Sequence, residues 1–244
     1  MNGIVKIPKL INEPVRAYAP GSNETLNLKS KLQELKSKTT DIPMYIGGQK
    51  IFTNEKIEMH PPHEKNYVLG TYNKGNAQHI NDAINAALAA KESWANMPWE
   101  SRAAIFLKAA ELLAGPFRDR MNAATMLAQS KNAMQAEIDA SCEMIDFFRF
   151  NVQYMSEIYA QQPPENSPGV WNQLEYRPLE GFVFALSPFN FTSIAANLCA
   201  APAMMGNTVV WKPSETQIYS AQVIMDLYKE AGLPDGVINL IYVD

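Results

Sequence analysis

The stretch GFVFALSPFNFTSIAANLCAAPAMMGNTVVWKPSE, residues 181–215, decides the fold, because it contains no charged residue from Phe182 to Trp211. An uncharged run of this length is compatible with a membrane span on hydropathy alone. Proline, glycine and asparagine interrupt it, however, and its apolar pattern changes from that of a strand to that of a helix and back. We therefore predict a strand at 182–186, a helix at about 192–205 and a second strand at 208–211, all buried in a globular domain.

The residues that follow repeat the same alternation. A helix is predicted from Ile218 to Ala231, and the turn GLPDG at 232–236 leads to a third strand at 237–242. Short buried strands that alternate with helices are typical of a parallel, doubly wound sheet of the Rossmann type. The predicted fold class is therefore α/β, with helical layers ahead of these strands.

The upstream residues divide into three parts. Residues 1–42 hold a polar arm and a short helix, and residues 43–169 hold four helices and a hairpin around Gly47-Gly48 within 44–59. The four helices are predicted at about 76–97, 98–115, 116–129 and 134–159. A Pro/Asn/Ser-rich break then leads into a strand within 170–180, and the first three β/α units occupy 181–244.

Composition and charge exclude several classes of protein. The 244 residues have a formal net charge of -4 and no dense cluster of lysine and arginine, so we expect no nucleic-acid partner and, given the interrupted apolar run, no membrane. Cys142 and Cys199 have no CxxC or Cys/His spacing and no nearby histidine or helix N-terminus. We therefore expect no metal site and no disulfide, and two unreactive packing cysteines.

The beginning of the sequence bears on the compartment. It shows neither an apolar secretory region nor an Arg/Ser-rich presequence. The expected compartment is the cytoplasm, or the mitochondrial matrix for a eukaryotic source whose presequence is absent here.

The predicted helix at 134–159 has two apolar faces. The core stripe has steps of three and four residues and consists of Met134, Ile138, Cys142, Ile145, Phe148, Val152, Met155 and Tyr159. The opposite face carries Glu143 with Phe147, Phe150 and Tyr154, while Asp139 and Asp146 fall on the flanks and are predicted to be solvated. A glutamate in the middle of a helix is ordinarily a surface residue, but a carboxylate in an aromatic wall requires a cationic partner, such as the ammonium group of a ligand.

Polar groups stand at the ends of two predicted strands, the edge where open α/β sheets bind ligands. After the first strand, Asn190 offers two N–H donors that either tie the loop to the backbone or stabilise a developing oxyanion. After the second strand, Lys212 and Glu215 either reach the hydroxyls of a nucleotide ribose or act as a solvated lysine and a partner of the helix dipole, with Ser214 as helix cap. No GxGxxG motif decides between these alternatives.

Together these segments resemble the aldehyde dehydrogenase superfamily. Its members carry a Pro-aromatic-Asn-Phe motif, then GNTVV-Lys-Pro-Ser/Ala-Glu, then AGLP-x-GV-x-N, and this chain has PFNF at 188–191, GNTVVWKPSE at 206–215 and AGLPDGVIN at 231–239. Three upstream segments are similar to one branch, the Δ1-pyrroline-5-carboxylate (L-glutamate-γ-semialdehyde) dehydrogenases. They are NEPV at 12–15, FLKAAELLAGP at 106–116 and QAEIDASCEMIDFFRFN at 135–151.

The resemblance implies a role for each matching residue. Asn190 corresponds to the asparagine that holds the oxyanion of the thiohemiacetal, Glu143 to the glutamate that binds the substrate's α-amino group, and Phe191 lines the aldehyde pocket. The implied cofactor is NAD, with contacts from Ser187, Pro188, Phe189, Lys212, Ser214 and Glu215. A carboxylate at Glu215 would bind the ribose 2′-hydroxyl and repel the 2′-phosphate of NADP. The strand within 170–180 resembles the family's oligomerisation strand, so the whole enzyme is expected to be a homo-oligomer, a dimer or larger.

Part of the family's machinery is absent from these 244 residues: the Gly-Ser-Thr turn, the general-base glutamate and the nucleophilic cysteine. The first hypothesis is that the chain is the N-terminal half of an NAD-dependent dehydrogenase that oxidises L-glutamate-γ-semialdehyde to L-glutamate in proline catabolism, and that alone it is inactive. The second is a non-catalytic NAD-binding or assembly module derived from such an enzyme. The open edge of a three-stranded parallel sheet favours the first hypothesis.

Overall fold

The structure is a computed structural model that describes residues 5–244. Its strands are Thr40–Ile42 (β1), Met44–Ile46 (β2), Gln49–Ile51 (β3), Lys56–Met59 (β4), Gly70–Asn73 (β5), Val183–Leu186 (β6), Val209–Lys212 (β7) and Ile238–Leu240 (β8). Its α-helices are Asn23–Lys36 (α1), Ala77–Ala95 (α2), Trp99–Ala114 (α3), Arg118–Gln129 (α4), Ala133–Ala136 (α5), Met144–Tyr159 (α6), Thr192–Met204 (α7) and Ile218–Ala231 (α8). Residues Glu137–Glu143 form a π-helical segment between α5 and α6, and Glu215–Gln217 form a 3-10 turn before α8.

The larger sheet has the strand order β3-β2-β8-β7-β6. Strands β6, β7 and β8 run parallel and are connected through α7 and α8, so the predicted β-α-β-α-β unit of a Rossmann-like α/β fold is confirmed. The hairpin β2–β3, which turns at Gly47 and Gly48 with positive φ, adds to the far side of β8 in the antiparallel sense. Strand β6 is an edge of this sheet, and its Phe184 and Leu186 are exposed.

The uncharged run of sequence forms the centre of the fold. All three of Val209, Val210 and Trp211 in β7 are buried, as expected for a strand covered on both faces. Helix α7 packs on β6 and β7, and α2 packs on β2, β7 and β8. None of the helices within residues 5–244 combines the length and the hydropathy that crossing a bilayer requires.

The alternation at 44–59 belongs to two sheets rather than to one hairpin. Strands β2 and β3 pair with each other, whereas β4 pairs with β5, which also pairs with β1 in a second, three-stranded sheet. The chain changes sheet at Thr53, whose N–H donates to Asn73 Oδ1 at 2.7 Å. The predicted hairpin is therefore confirmed for 44–51 and wrong for the residues after it.

The predicted helix at 134–159 contains a π-helical segment that the sequence pattern did not indicate. A π-turn holds more residues than an α-turn, so the segment rotates the residues before it relative to those after it. Met134 and Ile138, predicted to lie in the core, are 42% and 43% exposed, whereas Asp139, predicted to be solvated, is 2% exposed. From Cys142 onwards the predicted core stripe is confirmed, since its members are buried or packed on the core.

Residues 170–180, predicted to form a strand, pair with no other strand among the described residues. A strand is defined by a hydrogen-bonded neighbour, and this segment instead bonds to a side chain: Leu174 N–H donates to Gln162 Oε1 at 2.9 Å, and Gln162 Nε2 donates to the Leu174 carbonyl at 3.2 Å. Its apolar side chains point outward, with Trp171 89% exposed. The strand prediction is wrong within this chain, and the role of the segment in assembly stays a prediction.

Candidate functional site

The ends of β6 and β7 lie side by side, because Leu186 and Lys212 are partners in the parallel register. Ser187 joins these ends: its N–H donates to the Lys212 carbonyl at 3.1 Å, and its hydroxyl accepts from Trp211 Nε1 at 2.9 Å and donates to Gln217 Oε1 at 3.2 Å. The side chain of Ser187 is 3% exposed. Its hydroxyl and its N–H are thus used within the chain, so only its backbone carbonyl is free to meet a ligand.

Asn190 lies in the loop between β6 and α7 and is exposed. The loop itself is fixed, because Thr216 Oγ1 donates to the Phe189 carbonyl at 3.2 Å and Gln217 Nε2 donates to the Phe191 carbonyl at 2.5 Å. No group within residues 5–244 hydrogen-bonds to the side chain of Asn190. The alternative that its amide ties the loop to the backbone is therefore wrong, and a donor on a rigid support remains.

The second strand end carries the other predicted polar groups. Lys212 is half-buried and Glu215 is exposed, and neither side chain forms an ion pair or hydrogen bond within the described part of the chain. Ser214 precedes the 3-10 turn without capping it through its side chain, so the capping alternative is wrong. Pro188 is half-buried and Phe189 is exposed on the neighbouring loop. Two opposite charges and an aromatic ring are thus available at the carboxyl edge of the sheet.

An open cleft of about 570 Å³ lies between α6 and α7. Its lining comprises Asn12, Glu143, Asp146, Phe147, Phe150, Asn151, Tyr154, Phe191, Ile194 and Asn197. The predicted face of one carboxylate and three aromatics therefore lines one cavity, and Phe191 from the loop that carries Asn190 joins it. The lining includes two carboxylates and no cationic side chain.

The two carboxylates of this cleft differ in the number of hydrogen bonds that they accept from the chain. Asp146 accepts from Asn12 Nδ2 at 2.7 Å and from the Glu13 N–H at 2.8 Å. Glu143 accepts only from Ser193 Oγ, at 3.0 Å, among the described residues. Of the two carboxylates, Glu143 is therefore the one with more acceptor positions left free among the described residues.

A buried ion cluster anchors the N-terminal arm beside this cleft. Arg118 pairs with Glu137 and with Glu13, and Glu137 also accepts from the Arg16 N–H and from Tyr18 Oη, both at 2.8 Å. Burial opposes ionisation of Glu137, but these donors outweigh it and hold the pKa of its carboxyl below the usual 4.5. The arm is thereby held where Asn12 reaches the cleft.

Sequence reasoning missed Asp139, which lies in the π-helical segment beside the first residues of α7. Its carboxylate accepts from the N–H groups of Thr192 and Ser193, each at 3.0 Å. A signal was available: the N-cap residue of α7 is Phe191, which has no side-chain acceptor, so an acceptor had to come from elsewhere in the chain. The sequence did not indicate which residue supplies it.

Both cysteines are buried and free. Burial raises the pKa of the Cys142 thiol to about 12 and raises that of Cys199 well above its ordinary value. The thiolate, which is the nucleophilic form, is therefore suppressed at both positions, as predicted. No group of three His, Cys, Asp or Glu side chains within residues 5–244 is arranged to hold a metal ion.

The sequence is similar to a known protein family and to several of its members. The sequence profile of the aldehyde dehydrogenase family matches residues 51–244. The Delta-1-pyrroline-5-carboxylate dehydrogenase of Agaricus bisporus is 51% identical over 97% of this chain and 43% of its own length. The mitochondrial enzyme of that name from Dictyostelium discoideum is 46% identical over 96% of this chain and 42% of its own length.

The structure is also similar to solved structures of enzymes with that name. The Delta-pyrroline-5-carboxylate dehydrogenase of Mycobacterium tuberculosis bound with NAD superposes with a TM-score of 0.97 at 50% identity, covering 100% of this chain and 45% of that chain. The chain thus spans less than half the length of the curated relatives that it matches.

Proposed function

Because the chain belongs to the aldehyde dehydrogenase family, we propose that it is the N-terminal part of an NAD-dependent dehydrogenase that oxidises L-glutamate-γ-semialdehyde to L-glutamate in proline catabolism. The observation that carries this proposal is the cleft in which Glu143 faces aromatic side chains beside the loop of Asn190. A substrate that bears an ammonium group and a reactive aldehyde fits both features. The general-base glutamate and the nucleophilic cysteine come, in this proposal, from outside these 244 residues.

The cofactor site lies at the carboxyl ends of β6 and β7, where doubly wound sheets bind nucleotides. Lys212 and Glu215 fit a ribose, because both are free of partners within the described residues. Glu215 accepts from the ribose hydroxyls and disfavours a 2′-phosphate by charge repulsion, which selects NAD over NADP. The remaining contacts to NAD come from Pro188, Phe189, Ser214 and the backbone of Ser187. When bound, NAD accepts the hydride of the oxidation.

Asn190 is the oxyanion donor of this site. Its amide stands on a loop that Thr216 and Gln217 hold in place, so the donor is oriented before the substrate arrives. A preoriented donor stabilises negative charge that develops on the aldehyde oxygen without reorganisation at the moment of reaction. Neither Cys142 nor Cys199 supplies the nucleophile, because both thiols are buried with raised pKa values.

Glu143 is the substrate-recognition group. It binds the α-ammonium group of the semialdehyde, while Phe191 covers the aldehyde end of the cleft. A carboxylate that already holds one hydroxyl donor at 3.0 Å keeps further acceptor positions for the ammonium. This assignment explains why a carboxylate faces an aromatic wall.

Replacing Glu143 by alanine tests the substrate. In the whole protein, Glu143→Ala should raise KM for the semialdehyde roughly 10- to 100-fold, since a hydrogen bond to a charged group contributes about 1.5–3 kcal/mol. The turnover number should change far less. Steady-state kinetics with varied semialdehyde at saturating NAD measure both. The control is Glu157→Ala, which removes an exposed carboxylate from α6, the helix that directly follows Glu143. An unchanged KM in Glu143→Ala would remove Glu143 from the site.

The exposed edge of the larger sheet supports this proposal over a free-standing NAD-binding module. Phe184 and Leu186 on β6 and Phe189 beside it expose large apolar side chains. An uncovered apolar strand edge promotes aggregation, so we infer that further chain covers it in the whole protein. Residues 1–42, 43–169, 170–180 and 181–244 then correspond to an arm, the helical part of the NAD-binding domain, an assembly segment and the start of its sheet.

The exposed segment at 170–180 is our candidate for the contact between subunits of a homo-oligomer. Its backbone has no strand partner within the described residues, and its apolar side chains are exposed. A strand from another subunit would pair with this backbone and cover these apolar side chains.

For the compartment, we propose the cytoplasm, or the mitochondrial matrix in a eukaryotic source.

A further inference from the structure

Helix α7 begins at Thr192, directly after the loop that carries Asn190, and it has no capping group of its own. The first N–H groups of a helix need acceptors from outside the helix. Asp139 supplies them: Oδ2 accepts from Thr192 N–H and Oδ1 from Ser193 N–H, both at 3.0 Å, and Ser193 Oγ lies 2.8 Å from Oδ1. One carboxylate from another helix thus fixes the start of α7.

Asp139 is itself held firmly. It is 2% exposed, and Lys131 Nζ lies 2.5 Å from Oδ2, so the buried charge has a partner. The same ammonium group lies 4.4 Å from the centre of the Phe191 ring. The ion pair therefore contacts both the start of α7, at the N–H groups of Thr192 and Ser193, and the end of the loop, at the ring of Phe191.

The π-helical segment explains how one short stretch serves two sites. In the sequence pattern Asp139 falls on a solvated flank, but the wider π-turn directs it into the interior while Glu143, four residues later, faces the cleft. Ser193 Oγ lies between the two carboxylates, 2.8 Å from Asp139 and 3.0 Å from Glu143. Asp139 has three other donors, so the single hydroxyl proton of Ser193 is available to Glu143.

We propose that Asp139 is a positioning residue for the reaction: it fixes the loop that presents Asn190 and, through Ser193, it orients Glu143 towards the substrate. The proposal rests on the function proposed above for Asn190 and Glu143. Asp139 touches neither substrate nor cofactor. Its effect passes through the start of α7, and a displacement of about 1 Å at that point costs on the order of 100-fold in rate.

The first test combines kinetics with hydrogen exchange on the whole protein. In Asp139→Asn an amide nitrogen replaces one of the two acceptor oxygens, so the N–H groups of Thr192 and Ser193 keep only one acceptor between them, and the negative charge that pairs with Lys131 is removed. We expect kcat to fall about 100-fold with the Kd for NAD within about twofold, and the amides of Thr192 and Ser193 to exchange about tenfold faster, as resolved by mass spectrometry. Unchanged exchange at these two amides, or an unchanged kcat, would overturn the proposal.

Asp226→Asn is the matched control. It breaks the ion pair between Asp226 on α8 and Arg120 on α4, neither of which touches the loop of Asn190. It should leave kcat within about twofold and the exchange of Thr192 and Ser193 unchanged. A loss of kcat equal to that of Asp139→Asn would assign both effects to general destabilisation and overturn a positioning role.

Ser193→Ala keeps the proposal testable if Asp139→Asn does not fold. It leaves both backbone hydrogen bonds to Asp139 and removes the hydroxyl that lies between Asp139 and Glu143. KM for the semialdehyde should rise about tenfold with kcat within about twofold, and an unchanged KM would overturn the link through Ser193. If the amide hydrogens of Thr192 and Ser193 exchange in the wild-type protein as fast as in an unfolded chain, Asp139 does not cap α7 and the proposal is overturned. These exchange rates report on the cap even if the whole protein shows no dehydrogenase activity, so the two proposals fail separately.

Discussion

Asn190→Ala in the whole protein should lower kcat for semialdehyde oxidation about 100- to 1000-fold, the effect of removing one oxyanion donor. The side chain has no hydrogen-bond partner within the described residues, so its loss leaves no buried group unsatisfied and should cost little stability. The loop is held by Thr216 and Gln217 through backbone carbonyls, which the substitution leaves in place. A catalytic effect without a structural one is the signature of a donor that acts only on the transition state.

The measurement is a comparison of kcat with NAD affinity and with the unfolding midpoint. We expect the Kd for NAD to stay within about twofold and the free energy of unfolding to change by less than about 0.5 kcal/mol. Asn96→Ala, an exposed asparagine at the end of α2, is the control and should leave all three quantities unchanged. A kcat within threefold of wild type would exclude Asn190 as the oxyanion donor.

Glu137→Ala should destabilise the fold by roughly 3–5 kcal/mol at pH 7, the cost of breaking a buried ion pair. Glu137 is fully buried and pairs with Arg118, which is 2% exposed, so the substitution leaves a buried guanidinium with Glu13 as its remaining carboxylate. It also removes the acceptor for Tyr18 and for the Arg16 N–H. The N-terminal arm should therefore detach as well.

Denaturant unfolding of the whole protein measures this loss, and the pH dependence identifies the group. Because the pKa of Glu137 in the folded state lies below its usual 4.5, its stabilisation is complete above that value and is lost as the pH falls through the lower, folded-state pKa. The difference from wild type should accordingly shrink below about pH 4.5. Glu111→Ala, which removes the exposed partner of Arg149, should cost less than about 1 kcal/mol. A loss of that size in Glu137→Ala would contradict the central role of the cluster.

The strands and helices of residues 181–244 were predictable because their signals are local. Gly232 and Gly236 bound the turn before β8, and both adopt positive φ, which glycine permits. Helix α8 begins at Ile218 and ends at Ala231, as predicted. Val209, Val210 and Trp211 of β7 are uncharged because this part of the strand is buried on both faces.

The π-helical segment was not predictable from a periodic pattern. A helix takes up an additional residue in a turn only where tertiary contacts stabilise the altered backbone. Here those contacts are the ion pair of Glu137 with Arg118 and the hydrogen bonds of Asp139 to the start of α7. These contacts join residues far apart in sequence. The helical periodicity placed Glu143 on the correct face because Phe147, Phe150 and Tyr154 follow it in regular α-helix. It placed Asp139 on the wrong face because that residue lies inside the π-helical segment.

The segment at 170–180 failed as a prediction for a different reason. Its composition favours an extended backbone, but a strand also requires a partner, and the sequence of one chain does not specify a partner that lies elsewhere. Ser187 stays a predicted cofactor contact. The sequence did not indicate that its hydroxyl joins Trp211 to Gln217, because those two residues lie more than 20 positions away along the chain.

The central claim is tested most directly by assaying NADH formation from NAD and L-glutamate-γ-semialdehyde with the purified whole protein and, in parallel, with a chain shown by mass to consist of these 244 residues. We predict steady, semialdehyde-dependent NADH formation with glutamate as product for the whole protein, and none for the 244-residue chain. A whole protein that binds NAD but does not oxidise the semialdehyde, or a 244-residue chain that turns it over, would contradict the claim.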